Sequence, residues 1–178
     1  MTFAIVFPGQ GSQAVGMLDA WGDHPQVKAV LAEASDALNE DVGALIHSGP
    51  KEALALTTNT QPVMLVAGVA AWRVWQAEGG AQPAVLAGHS LGEYTALVAA
   101  GALTLTQAAP LVRFRAAAMQ EAVPVGVGAM SAVLGLDAQA IAKICAETTQ
   151  AVNQPGETVE AVNFNDPGQT VIAGSKAA

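Results

Sequence analysis

Ala84-Val85-Leu86-Ala87-Gly88-His89-Ser90-Leu91-Gly92-Glu93-Tyr94 is the stretch on which the reading of this chain turns. Four apolar residues lead into Gly-x-Ser-x-Gly, and an alanine-rich helical stretch, Glu93 to Ala100, follows. A strand that passes straight into a helix through this motif is a nucleophile elbow. The bend is so tight that Cβ atoms at the flanking positions would clash, so glycine stands at Gly88 and Gly92. Ser90 then sits exposed at the helix N-terminus, where free N–H groups and the helix dipole favour developing negative charge. A plainer reading uses the same letters: Ser90 and Glu93 also spell a Ser-x-x-Glu capping box, in which Ser90 only closes the helix.

Working outward, Phe3 to Phe7 is a continuous apolar run ended by Pro8-Gly9, as expected of a buried parallel strand. The loop Pro8-Gly9-Gln10-Gly11-Ser12-Gln13 follows it. No glycine stands three after Gly11, so the dinucleotide fingerprint fails, and no Gly-Lys-Ser/Thr follows, so the P-loop fails. At the carboxyl end of a strand such a loop still offers backbone N–H groups to the crevice where open α/β sheets bind ligands. Beside an elbow it could supply a second oxyanion donor; alone, a plain strand-to-helix turn reads equally well.

Between these motifs the periodicity predicts a helix over Gln26–Asn39, with Val27, Val30, Leu31, Ala34 and Leu38 on one face. Gly49-Pro50 breaks the chain. A long helix is expected from about Thr60 to Glu78, apolar almost all round and hence buried, with Pro62 tolerated in its first turn. After the elbow, Gly101 stops one helix and Thr106 caps another, which ends near Pro124. Beyond Gly126-Val127-Gly128 the character changes to a β-α-β-β series. Its strands are expected at Ala129–Leu134, Val159–Phe164 and Thr170–Ala173, its helix at Asp137–Gln150, and its turn at Asn165-Asp166-Pro167-Gly168. That is two-thirds of a split βαβ unit.

A chain of 178 residues with 52% hydrophobic and 12% charged residues can bury a sizeable core, which excludes disorder. Its seven Lys and Arg are scattered against a net charge of −8, which argues against nucleic acid as a partner. Cys145, the single cysteine, is expected to pack as a small apolar residue. The N-terminus has no basic region and too short an apolar run for a signal peptide, and the apolar stretch Pro62–Trp72 is interrupted by Arg73 well short of a bilayer span. The expectation is a cytoplasmic protein with no membrane partner.

Taken together, several blocks resemble a known family. They are Gly9-Gln10-Gly11-Ser12-Gln13, Thr60-Gln61-Pro62, the elbow with Tyr94, Arg115 four before Met119-Gln120, Val162-Asn163-Phe164-Asn165, Pro167-Gly168-Gln169 and Val171-Ile172-Ala173-Gly174. In order and in spacing they are similar to the malonyl-CoA:acyl carrier protein transacylases. The resemblance implies that Ser90 takes the malonyl group from coenzyme A as an oxyester. The backbone N–H groups of Gln10 and Leu91 then form the oxyanion hole, and Arg115 pairs with the malonyl carboxylate. Met119 lines the acyl pocket, and Asn165, with Asn163 beside it, lies at the cleft between subdomains. The fold expected is α/β: a parallel-sheet, α/β-hydrolase-like large subdomain over residues 1–125 and a smaller, incomplete ferredoxin-like subdomain over 126–178. The implied partners are acyl carrier protein and malonyl-CoA or coenzyme A, with no cofactor and no metal.

Physical chemistry supports the assignment of Arg115, because a guanidinium grips a carboxylate bidentately whereas an acetyl group leaves it unpaired. Arg113, about 200° away on a helix, is read as a solvated cation. The family activates its serine with a histidine far downstream of these blocks, and that segment is absent. His24 and His47 are expected in surface loops, and His89, inside the elbow, as a supporting residue. Residues 1–178 therefore read as a truncated chain lacking the general base, the other readings being half of a split enzyme completed by a second chain, or an inactive relative. The alternatives are a serine esterase or thioesterase, which lacks its usual His-Gly-Gly-Gly signature here, and an inactive carrier-binding fragment.

Overall fold

The computed structural model describes residues 2–123 and 126–178. The chain divides into two compact units, Met1–Gln120 and Glu121–Ala178. The expected end of the Thr106 helix at Pro124 and the expected boundary at residue 125 lie outside the described residues.

In the first unit, strand β1 (Ala4–Phe7) is followed by a short 3-10 turn (Asp19–Trp21) and helix α1 (Pro25–Leu38). Two short helices, α2 (Val42–Ser48) and α3 (Lys51–Ala55), lead into the long α4 (Thr57–Ala77). Strand β2 (Val85–Gly88), α5 (Gly92–Ala99) and α6 (Leu105–Ala122) complete it. β1 and β2 pair in parallel, with Ala4 opposite Val85 and Phe7 opposite Gly88. The carboxyl ends of both strands therefore meet, which puts the loop after β1 beside the elbow after β2.

The core follows the apolar stripes. Val27, Val30 and Ala34 of α1 pack with Val63, Val66 and Ala70 of α4, and with Ala108 and Val112 of α6. At this mutual contact α4 is apolar on nearly every side, so it forms the axis of the unit. An Arg73–Glu33 ion pair of 2.6 Å ties α4 to α1 at the rim. Phe7 packs separately on Trp72 and Ala96. β1 is not buried on both faces as its apolar run suggested: Val6 is 72% exposed, because β2 is its single hydrogen-bonded neighbour among the described residues.

Two element starts differ from the expectation. Helix α4 begins at Thr57, so Pro62 stands inside it and not in its first turn. Helix α6 begins at Leu105 and is capped by Thr104, not Thr106. The Thr104 hydroxyl accepts from the Gln107 N–H at 3.1 Å, while the Thr104 N–H donates to the Gln107 side chain at 3.0 Å, a reciprocal capping box. Thr106 instead donates to Glu33.

The second unit holds β3 (Gly128–Leu134), α7 (Ala138–Val152), β4 (Val159–Asp166) and β5 (Gln169–Ser175). The sheet order is β3-β5-β4, with β5 antiparallel to both neighbours. β3 and β4 thus run the same way with β5 inserted between them, joined by α7. Ile141 and Cys145 of α7 pack against Val159, so the cysteine is a core residue as expected. Both strands of the β4–β5 hairpin run longer than expected, so Asn165 and Asp166 end β4 and the turn shrinks to Pro167-Gly168.

Candidate active site

The elbow is built by backbone crowding. A Cβ on Gly88 would lie 2.0 Å from the Gly92 carbonyl carbon, and one on Gly92 would lie 2.3 Å from the Phe7 carbonyl oxygen. Neither neighbour is a movable side chain, so both positions admit only glycine. Between them Ser90 adopts φ 54°, a left-handed conformation that few non-glycine residues hold without surrounding support. Replacing Gly92 by alanine is expected to force β1 from the start of α5 at a cost of about 2 kcal/mol. Urea unfolding of the variant checks this, and an unchanged midpoint would contradict the crowding.

No side-chain bond caps α5, so the capping-box role of Ser90 is not the one adopted. The N–H groups of Gly92 and Glu93 bond back to the carbonyls of His89 and Ser90 at 2.9 and 3.2 Å. The Ser90 hydroxyl is exposed and accepts from Arg115 Nη2 at 3.0 Å. The other arm of the guanidinium, Nη1, donates to Gln61 Oε1 at 2.5 Å. Its carbon stands 5.9 Å from the centroid of the Tyr94 ring, within cation–π range. Gln61, 1% exposed, turns its amide nitrogen to the sulfur of Met119 at 3.4 Å. Met119 itself is half exposed.

Four elements of the first unit thus converge: β2 and α5 through the elbow, α4 through Gln61, and α6 through Arg115 and Met119. The loop after β1 joins them. Gln10 Nε2 donates to Thr57 Oγ1 at 3.3 Å, at the start of α4. His89 lies against the same loop, since a Cβ on Gly9 would stand 3.1 Å from its Nδ1. Leu91 is buried under the elbow. Asn165 belongs to the second unit, where its amide donates to Gln169 Oε1 at 3.2 Å. Among the described residues no cluster of three His, Cys, Asp or Glu could hold a metal ion, and no helix is long and apolar enough to cross a membrane.

Three basic residues differ from their sequence reading. Arg113 is not a solvated cation. It donates to the Thr58 carbonyl, to Asn59 Oδ1 at 2.9 Å and to Glu40 Oε2. His24 is no loose loop residue: its Nδ1 accepts from the Gln26 N–H at 3.2 Å at the start of α1, and its Nε2 lies 3.1 Å from Glu78. His47 sits in the last turn of α2, 2.7 Å from Asp19. Away from the site, the hydrogen bond and charge of Lys28 hold the Asp23 carboxyl below the usual carboxylate range.

Gln61 and Tyr94 had no assigned role in the sequence reading, although both stand in its quoted blocks. A signal existed for Gln61: a lone amide in an apolar helix is seldom fully buried without a polar partner. For Tyr94 the helical spacing from the elbow gave none.

An exposed serine in the elbow, at φ 54°, thus has a guanidinium held against its hydroxyl. The chain belongs to the acyl transferase domain family, whose model matches residues 4–178. It is 55% identical over 177 residues to the malonyl CoA-acyl carrier protein transacylase of Salmonella typhimurium, covering 99% of this chain and 56% of that protein. To the Bacillus subtilis (strain 168) protein of the same name it is 44% identical over 173 residues, covering 97% of this chain and 53% of that one. Among solved structures, an acyl-carrier-protein S-malonyltransferase from Burkholderia pseudomallei superposes with a TM-score of 0.93 at 62% identity, over 99% of this chain and 56% of that one. A malonyl-transacylase solved in complex with a type II PKS acyl-carrier protein gives 0.92 at 53%, over 99% and 56%. The resemblance carried by the motifs is borne out, and the chain spans a little over half the length of the relatives it matches.

Proposed function

We propose that the protein containing this chain transfers a malonyl group from malonyl-CoA to the phosphopantetheine thiol of acyl carrier protein in cytoplasmic fatty acid synthesis. Ser90 Oγ attacks the thioester carbonyl, coenzyme A leaves as the thiol, and the malonyl group rests on Ser90 as an oxyester. The thiol of the carrier then attacks that ester and Ser90 is regenerated. The N–H groups of Gln10 and Leu91 receive the oxyanion in each half, and Arg115 holds the free carboxylate of the malonyl group throughout. Met119 lines the acyl pocket of the α/β-hydrolase-like large subdomain (1–125), His89 supports its first loop, and Asn165 of a ferredoxin-like small subdomain (126–178) contributes to substrate binding. No metal or cofactor takes part.

The observation that carries this reading is the 3.0 Å contact between Arg115 Nη2 and Ser90 Oγ. A cation against the nucleophile suits an acyl group that carries its own anion, and serves no purpose for a neutral ester. The general base that the family resemblance implies is a histidine downstream of these blocks; here His24 lies against Glu78, His47 against Asp19, and His89 against the first loop.

The test is to mix the full-length gene product with malonyl-CoA and holo acyl carrier protein. Malonyl-carrier forming in step with free coenzyme A supports transfer. Free malonate in place of malonyl-carrier marks a hydrolase, and carrier binding without turnover marks a binding module.

A further inference from the structure

Pro62 is the sixth residue of α4, and Gln61 immediately precedes it. A proline at that point has no N–H for the carbonyl four residues back, and its ring pushes that carbonyl outward. The carbonyl concerned belongs to Thr58. Arg113 Nη1 donates to it, and the same nitrogen donates to Asn59 Oδ1. Nη2 is anchored on Glu40 Oε2, at the loop between α1 and α2. Two residues on along α6, Arg115 reaches the next turn of α4 through Gln61. The two arginines therefore grip neighbouring positions of one helix, all of them just before its proline. Asn59 and Thr60 fasten the inner side of the same turn, reaching the carbonyls of Ala53 and Leu54 at 2.9 and 2.6 Å. The Nε of Arg113 is buried without a partner, so the side chain accepts a desolvation cost in order to reach these groups.

We propose that Arg113 is a positioning residue for malonyl selectivity: by supplying the donor that Pro62 lacks, it fixes the α4 turn from which Gln61 orients the Arg115 guanidinium. The inference rests on the proposed role of Arg115 and names the groups that hold it in place. A guanidinium free to swing loses the pre-organised fork that a carboxylate needs, while an acyl group without a carboxylate is indifferent to it.

The experiment measures kcat/KM of the full-length gene product for malonyl-CoA and for acetyl-CoA. Arg113→Met is expected to lower the malonyl value about tenfold and the acetyl value by less than about twofold, as a displacement of a binding group should. Pro62→Ala returns a backbone N–H to the Thr58 carbonyl, so in the double variant it should restore most of the lost malonyl preference. Equal losses for both substrates, or a double variant no better than Arg113→Met, would overturn the proposal. Should the Met variant not fold, Arg113→Gln, which breaks the ion pair with Glu40, must show the same bias against malonyl, and an unbiased loss overturns it equally. A wild type that prefers acetyl would instead remove the role of Arg115 itself, and this inference with it.

Discussion

Replacing Ser90 by alanine in the full-length gene product is expected to lower malonyl transfer by about a thousandfold or more and to remove the acyl-enzyme altogether. The route proposed here passes through one oxygen, and when a covalent path is lost only binding and oxyanion stabilisation remain. The same change leaves stability within about 1 kcal/mol, because Arg115 keeps its bond to Gln61 when the hydroxyl is gone. Ser90→Gly separates the two effects more sharply. It is equally inactive, yet it relieves the left-handed φ of 54° and is expected to raise stability by about 1 kcal/mol. Strain at the elbow would then be read directly as the stability that the glycine variant gains. Thermal unfolding alongside a coenzyme A release assay reads both. An alanine variant that retained a tenth of the activity would mean that another group carries the acyl chain.

Arg115→Ala is expected to cut kcat/KM for malonyl-CoA about 10- to 150-fold and to leave acetyl-CoA nearly unaffected. A charge-assisted hydrogen bond contributes about 1.5–3 kcal/mol, and about 1.4 kcal/mol is a factor of ten. The discrimination is expected because Arg115 remains a cation whether or not the substrate brings an anion. A lysine in its place retains the charge but not the fork, so Arg115→Lys should recover less than the full effect. Gln61 and Tyr94 sharpen this expectation, since one fixes an arm of the guanidinium and the other lies in reach of its face. Equal losses with both substrates would show that Arg115 supports the elbow and does not select the acyl group.

The elbow was legible in the sequence because its cause is local. Two glycines and the strand before them dictate a bend whose sterics involve residues 88 to 93 with Phe7 and Pro8 at the end of β1. The amphipathic stripe of α1 and the apolar length of α4 were legible for the same reason, as each is a periodic pattern within one segment. The start of α4 was not. Thr57, Thr58 and Asn59 are poor helix formers, and they are helical here because Asn59 and Thr60 tie that turn to carbonyls six residues back and Arg113 ties it to α6. The short helices α2 and α3 carry too few residues for a period to show. Arg113 was misread because spacing on its own helix says nothing of what the neighbouring helix offers: just before Pro62, α4 presents both the Thr58 carbonyl and Gln61. The partner of Arg115 was hidden likewise, as a glutamine in an apolar run announces a buried contact but not its identity.

The central claim is that Ser90 carries a malonyl group whose carboxylate Arg115 holds. It is tested most directly by quenching the full-length gene product with malonyl-CoA or with acetyl-CoA and locating the acyl group by peptide mass mapping. The account predicts one malonyl group, on the peptide containing Ser90, much depleted in Arg115→Ala, while the acetyl adduct on the same peptide is as abundant in that variant as in the wild type. A malonyl group on any other residue, or an Arg115→Ala variant that loses both adducts alike, would contradict it.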